Sequence, residues 1–234
     1  MSKYKIAVGF IAGNHSVHFG TLASFVELAN QDMSDFELTP IFQNSIYVDR
    51  NRTMVAAEFL TEHDSDYLLF LDTDNGITRD GLLYFMEDFE DPNVNIVTGK
   101  YLFKDGKEGR YVCGYQPPEA TLYNYVTLPE ESFTEDVINL SQMVGTAVVG
   151  CGCLMIRRKV FEEVPYPWFN TPWVQGPGND GGIGHLWVGE DVFFSFHAQE
   201  HGFDIHLDQR IKSPHYRGSK CYPPEWDQTI TKED

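Results

Sequence analysis

Two carboxylates one residue apart, Asp72 and Asp74, close the short apolar segment YLLFL at 67–71. Hard oxygen donors at that spacing can hold Mg²⁺ or Mn²⁺, cations that leave coordination positions for substrate phosphate. The same DTDNG stretch at 72–76 also satisfies tight-turn chemistry, so the pair alone reads either way. A second acidic pair, Glu190 and Asp191, follows Gly189 and opens an amphipathic stretch. Asp191 there is either a first-turn acid stabilised by exposed amides or a general base beside a glycine-rich loop. His215 follows an alternating strand pattern, where a neutral imidazole can complete a metal site. The other histidines read as ordinary surface or core residues, although His185 lies close to the same loop. Cys151 and Cys153 have C-x-C spacing rather than the C-x₂-C of common zinc sites, and read as small buried residues on one face of a strand.

Such groups work together only if regular elements bring them together. Residues 4–11 are a β-rich apolar run, and Leu22, Phe25, Val26 and Ala29 then recur at helical spacing. A second strand is expected at 36–42, where Pro40 suits a sheet edge. A helix over 50–60 follows, with Met54, Val55 and Phe59 as its apolar face. The continuous run at 67–71 is the pattern of a central parallel strand buried on both faces. Leu82, Leu83, Met86 and Phe89 mark another helix, and 93–98 the next strand. This alternation predicts a doubly wound α/β fold with helices on both faces of a mostly parallel sheet. Open sheets of that kind bind ligands outside the carboxyl ends of their strands, where Asp72 and Asp74 lie.

Pattern weakens over 104–142, which reads as a solvated connecting surface with room for a short hairpin. A strand is expected at 148–156 and a helix at 157–164. Five glycines within 176–184 predict a mobile loop, not an element. A helix carrying Val192, Phe193 and Phe196 ends at Gly202, and a half-buried strand follows at 203–208. The tail at 219–234 reads as peripheral.

Composition narrows the class further. The chain has 234 residues, 42% hydrophobic and 14% aromatic, enough for a substantial core. Lys and Arg number 17 against 35 Asp and Glu, a formal net charge of −18. That balance argues against affinity built on broad cationic contact with nucleic acid or anionic lipid. No segment approaches the roughly 18 apolar residues of a membrane-spanning helix. The apolar run at 6–12 is too short for a signal peptide, and four cysteines are too few for a disulfide scaffold. A reduced, cytoplasmic setting is expected, a host's cytoplasm if the chain is of phage origin.

These features in order resemble the GT-A class of nucleotide-sugar glycosyltransferases, especially the family 2-like members of phages and bacteria. The resemblance covers roughly residues 5–217. It rests on Arg50, Asn51 and Arg52 before a helix, LLFLDTDNGI at 68–77, VTGKY at 97–101, GCGCLMIRRKVFEEV at 150–164 and GEDVFFSFHAQEHGFDIHLD at 189–208. It implies a GT-A, Rossmann-like fold forming one domain over 1–234. Residues up to about 103 would bind the nucleotide-sugar, and those from about 104 to 218 would bind the acceptor and carry catalysis.

The roles implied are specific. Asp74 and His215 would ligate Mn²⁺ or Mg²⁺, with Asp72 reaching the metal or the donor ribose. Arg50, Asn51, Arg52 and Thr73 would lie along the donor, with Arg offering the fork that suits phosphate. Ile11 and Ala12 would border its base. Asp191 would be the catalytic base, with Glu190 binding the acceptor or orienting the site. Of Trp168, Trp173 and Trp187, one or two are expected in the core, and Trp187 is the one expected to touch donor or acceptor. The family's acidic residue after the second strand, which reads uracil, has no clear match around Gln43 and Asn44, so UDP-sugar is favoured without that support.

The implied reaction is sugar transfer from the donor to an acceptor hydroxyl by direct displacement, hence with inversion. A glycan, lipid, small molecule or modified nucleobase would serve as acceptor, with nucleic acid disfavoured by charge. A non-catalytic sugar- or nucleotide-binding module and a metal-dependent nucleotide-sugar hydrolase are the alternatives. A sugar-nucleotide pyrophosphorylase would need a basic residue in the loop after the first strand, and GFIAGNH at 9–15 has no Lys or Arg.

Overall fold

The computed structural model describes residues 4–12, 16–103, 111–117, 125–142, 146–177, 183–217 and 220–222. The expected alternation forms as β1 (Tyr4–Ile11), α1 (Phe19–Ala29), β2 (Phe36–Gln43), α2 (Val48–Glu62), β3 (Tyr67–Asp72), α3 (Arg79–Asp88) and β4 (Ile96–Lys100). Next come β5 (Cys113–Gln116), β6 (Val126–Thr127), β7 (Val137–Asn139), β8 (Thr146–Val149), β9 (Cys153–Arg157) and α4 (Arg158–Glu163). The hairpin of β10 (Trp173–Pro177) and β11 (Ile183–Trp187) leads into α5 (Glu190–Glu200). The chain continues through β12 (Ile205–Lys212), β13 (His215–Arg217) and β14 (Lys220–Tyr222).

The main sheet has the order β2-β1-β3-β9-β4-β12-β7. β1, β2, β3, β4 and β12 run in one direction, while β9 and β7 run against them. β3 lies inside the sheet, and Leu68, Leu69, Phe70 and Leu71 are fully buried. Its side chains alternate between two cores, as a strand covered on both faces requires. Leu68 and Phe70 pack with Val55 and Phe59 of α2, Phe161 of α4 and Phe194 of α5. Leu69 and Leu71 pack with Leu28 of α1 and with Leu82, Phe85 and Met86 of α3. The fold is therefore the mixed α/β, Rossmann-like GT-A architecture, with helices on both faces. Among the described residues no helix is long and apolar enough to cross a membrane.

Several local expectations are corrected. Residues 148–156 are not one strand: the chain breaks at Gly150 and Gly152 between β8 and β9. The buried ring of Tyr101 occupies the space beside both glycines. A Cβ on Gly150 would lie 2.3 Å from its Oη, and one on Gly152 would lie 3.2 Å from its ring. Cys151 and Cys153 are indeed buried and free, but only Cys153 lies in a strand. Within 104–142 the described residues are less solvated than expected: β5 and β6 join β8 in a second sheet, β7 edges the main one, and Tyr111, Leu128 and Leu140 are buried.

Residues 173–177 and 183–187 pair as an antiparallel hairpin, so the flanks of the glycine-rich stretch are strands, while 178–182 lie outside the described residues. Residues 220–222 pair with β13, and the rest of the tail from 223 lies outside the described residues. On α1, Leu22 and Val26 are exposed, and the buried face is Thr21, Ser24 and Leu28. The small side lies inward because Tyr216 packs directly on Gly20. Met54 of α2 likewise faces outward, its place inside taken by Asn51, Arg52 and Ala56.

One ion cluster ties α3 to β12. Arg210, at a register shift in β12, bonds both carboxylate oxygens of buried Asp208, with Glu87 at 3.0 Å and Asp88 at 3.3 Å. Burial, then the Asp208 carboxylate, pushes Asp88 up to about 8. A folded-state value above the ordinary 3.8 means that the group's contribution to stability is complete at low pH and is lost as pH rises through about 8. Asp88→Asn should therefore flatten the fall in urea midpoint between pH 5 and pH 9 relative to the parent chain, as followed by fluorescence.

Candidate active site

The strand register sets the site. Ile11 of β1 lies level with Gln43 of β2 and with Asp72 of β3, at the carboxyl edge of the parallel strands. Ala12 N–H donates to Gln43 O at 3.1 Å, and Thr73 Oγ1 donates to Ile11 O at 3.4 Å. The Ile11 side chain belongs to the core, so only its backbone is available at the sheet edge.

Arg52 is the centre of the arrangement. Its side chain is 3% exposed, over the Phe70 ring. Nη2 donates to Asp72 Oδ1 at 2.9 Å, Nε to Glu190 Oε1 at 3.1 Å, and Nη1 to Cys151 O at 3.3 Å. Burial works against the charge on Arg52, but Asp72 first, with Cys151 and Glu190, outweighs it and holds the guanidinium well above its ordinary range. One cation thus joins the end of β3, the first turn of α5 and the glycine-bounded turn before β9.

Asp191, next to Glu190, stands in the first turn of α5 with Oδ1 accepting from Val192 N–H at 2.7 Å. Gly189 leaves room for it: a Cβ there would lie 2.7 Å from that same oxygen. Burial, then the Glu190 carboxylate, pushes Asp191 up to about 6, opposed by the Val192 amide and Arg52. A buried carboxyl beside a second, arginine-held carboxylate can take up or release a proton near neutral pH.

Asp74 and His215 form a separate pair. Asp74 Oδ1 lies 3.5 Å from His215 Nε2, and His215 Nδ1 lies 2.7 Å from Leu102 O. A carbonyl only accepts, so Nδ1 bears a hydrogen in this contact and Nε2 is the ring nitrogen turned to Asp74. Tyr216 N–H donates to Asp74 O at 2.8 Å, and Asn75 Nδ2 donates to Ser213 Oγ at 3.1 Å. The turn after β3 and the segment opening β13 are thereby laced together. Tyr101 lies between the two clusters, its ring edge-on to His215 at 5.6 Å and its Oη accepting from Gly152 N–H at 2.9 Å.

The family model described as Glycosyl transferase family 2 matches residues 20–165, more than half of the chain and inclusive of Arg52, Asp72 and Asp74. The chain belongs to glycosyltransferase family 2. The crystal structure of A197 from STIV has the same fold, with a TM-score of 0.60 over 95% of this chain and 94% of that one, at 17% identity. No curated protein sequence matches the chain. The part of this transferase holding Glu190, Asp191 and His215 lies beyond the matched residues.

Against that framework, the expected site residues divide. Asp72, Arg52 and Glu190 meet directly, as do Asp74 and His215. Of the expected metal ligands, Asp74 and His215 lie together while Asp72 is turned to Arg52, and among the described residues no group of three His, Cys, Asp or Glu is placed to hold a metal. Arg52, expected along the donor, stands here as a buried bridge donating to Asp72, Glu190 and Cys151 O. Asn51 is fully buried, with both ends of its amide on the Ser45 backbone, so it fixes the loop before α2 and does not face the cleft. Arg50 is exposed in the first turn of α2. Trp168 is core, and Trp187 is exposed. Tyr101 was missed, although its place directly after β4, at the same sheet edge, was a usable signal.

Breaking a buried pair strands the partner charge at a cost of about 3–5 kcal/mol. Arg52→Met should lose about that much stability in urea unfolding at pH 7, and adding Glu190→Gln should restore part of it. A loss in the single variant below about 1 kcal/mol, the range of an exposed pair, contradicts the bridge.

Proposed function

We propose that this family 2 transferase moves a sugar from a nucleoside diphosphate sugar to an acceptor hydroxyl with inversion, using Asp191 as the base. The observation that supports this most is the placement of Asp191: a carboxyl pushed up to about 6, in the first turn of α5, beside the arginine-held end of β3. Above that pH it is a charged acceptor for a proton, and it is still basic enough to take one from a hydroxyl as a new bond forms. In the proposed step the acceptor oxygen attacks the anomeric carbon and Asp191 takes the hydroxyl proton. The bond to the diphosphate breaks on the opposite face. Glu190, held by Arg52, keeps its neighbour's position and carries negative charge that favours protonation of Asp191.

The donor set suits a divalent cation completed by substrate. Asp74 and His215 offer one carboxylate and one imidazole nitrogen already aimed at each other, leaving the remaining positions to phosphate and water, as Mg²⁺ and Mn²⁺ prefer. When bound, such an ion neutralises the charge that grows on the leaving diphosphate. Exposed Arg50 is the free-reaching cation on the same helix as Arg52. UDP is the favoured base carrier.

Asp191→Asn should lower turnover by about 10²–10⁴-fold while calorimetric UDP affinity in Mn²⁺ stays within about twofold. In the parent enzyme, kcat/KM should rise with pH and level off above about 6. UDP binding should vanish with EDTA and weaken in His215→Ala. Product with retained configuration, or equal loss of UDP affinity in Asp191→Asn, contradicts the reading.

A further inference from the structure

Two of the chain's four tryptophans stand in water. Trp173 is 71% and Trp187 63% exposed. They are direct partners across β10 and β11, with ring centres 6.3 Å apart and planes within 18° of parallel. Indoles are usually much more buried than this, and two side by side make an apolar shelf. Side chains alternate along a strand, so the next pair but one on the same face is Gln175 and His185, both exposed. That face therefore carries two indoles, an amide and an imidazole, with no Lys or Arg among them.

The shelf is fastened to both sides of the Arg52 bridge. Trp187 Nε1 donates to Thr171 O at 3.2 Å, and Thr171 Oγ1 donates to Asp49 Oδ2 at 2.8 Å, in the first turn of α2. Val188 N–H donates to Pro172 O at 3.0 Å, and its side chain packs with Val148 and Val192. Only Val188 and Gly189 separate Trp187 from Glu190.

We propose that Trp173 and Trp187 form the shelf on which a saccharide acceptor lies, so that the acceptor of this transferase is a glycan. The inference rests on the reading of Glu190 and Asp191 as the acceptor end of the site. A pyranose ring has a face of C–H groups that fits the electron-rich face of an indole, while its rim of hydroxyls stays in water or meets an amide and an imidazole. The two indoles are stacked, so it is the outward face of each that a sugar ring would meet. A nucleic-acid acceptor would bring phosphates to a protein of net charge −18, at strands whose described residues include no Lys or Arg.

The test is a binding screen of the whole chain on an array of immobilised glycans. Calorimetry and tryptophan fluorescence with the soluble hexasaccharide of the best hit follow. Saturable binding that weakens more than tenfold in Trp173→Ala, and stays within threefold in Trp173→Tyr, supports the shelf. Absence of glycan binding, an affinity unmoved by Trp173→Ala, or binding of a single-stranded oligothymidylate in place of glycans overturns it. UDP titration in Mn²⁺ is run beside it on the parent chain. Loss of UDP binding with glycan binding intact counts against the donor reading and not against the shelf.

Discussion

A guanidinium with 3% of its side chain exposed must have its charge matched within hydrogen-bonding reach, and Arg52 is matched twice. Because its two partners come from β3 and α5, the requirement is met only when α2, the end of β3 and the start of α5 are all in place. The third contact, to Cys151 O, adds the turn before β9. Four separate stretches of chain are thereby fixed at one point. No hydrophobic contact could impose this, since apolar packing is non-directional and tolerates small shifts, whereas a planar fork donating to two carboxylates does not.

That constraint sorts the acidic residues. Asp72 and Glu190 are engaged by Arg52, while their neighbours Asp74 and Asp191 make other contacts. Asp74 meets His215, whose ring is held by Leu102 O and by the edge of Tyr101. Asp191 feels the charge of Glu190 and the loss of water, and both push it upwards. Tyr101 stands between these pairs, and Gly150 and Gly152 lack side chains where its ring must pass. One buried cation thus holds the first carboxylate of each acidic pair and leaves the second to other partners.

Much of this was legible in the residues. The run at 67–71 could be placed inside a sheet because a strand covered on both faces has no polar positions, and Asp72 and Asp74 follow from where it stops. Gly202 marked the end of α5, where the backbone takes φ of +84°. Pairing choices were not legible. Arg52 chooses Asp72 and Glu190 across 20 and 138 residues, a distance over which no local periodicity carries information. The antiparallel entry of β9 between β3 and β4 was hidden for a similar reason, because a buried strand reads the same in either direction. The orientation of α1 was set by Tyr216, nearly two hundred positions away, against spacing that pointed to the other face.

The central claim is that Arg52 keeps Asp72 and leaves Asp74 and His215 to the cation. The most direct measurement is a crystal structure grown with UDP and MnCl₂, with the manganese located by anomalous scattering. The account predicts the ion on Asp74 and His215, with the Arg52 contacts to Asp72 and Glu190 unchanged. Manganese on Asp72, with Arg52 swung onto the diphosphate, would contradict it.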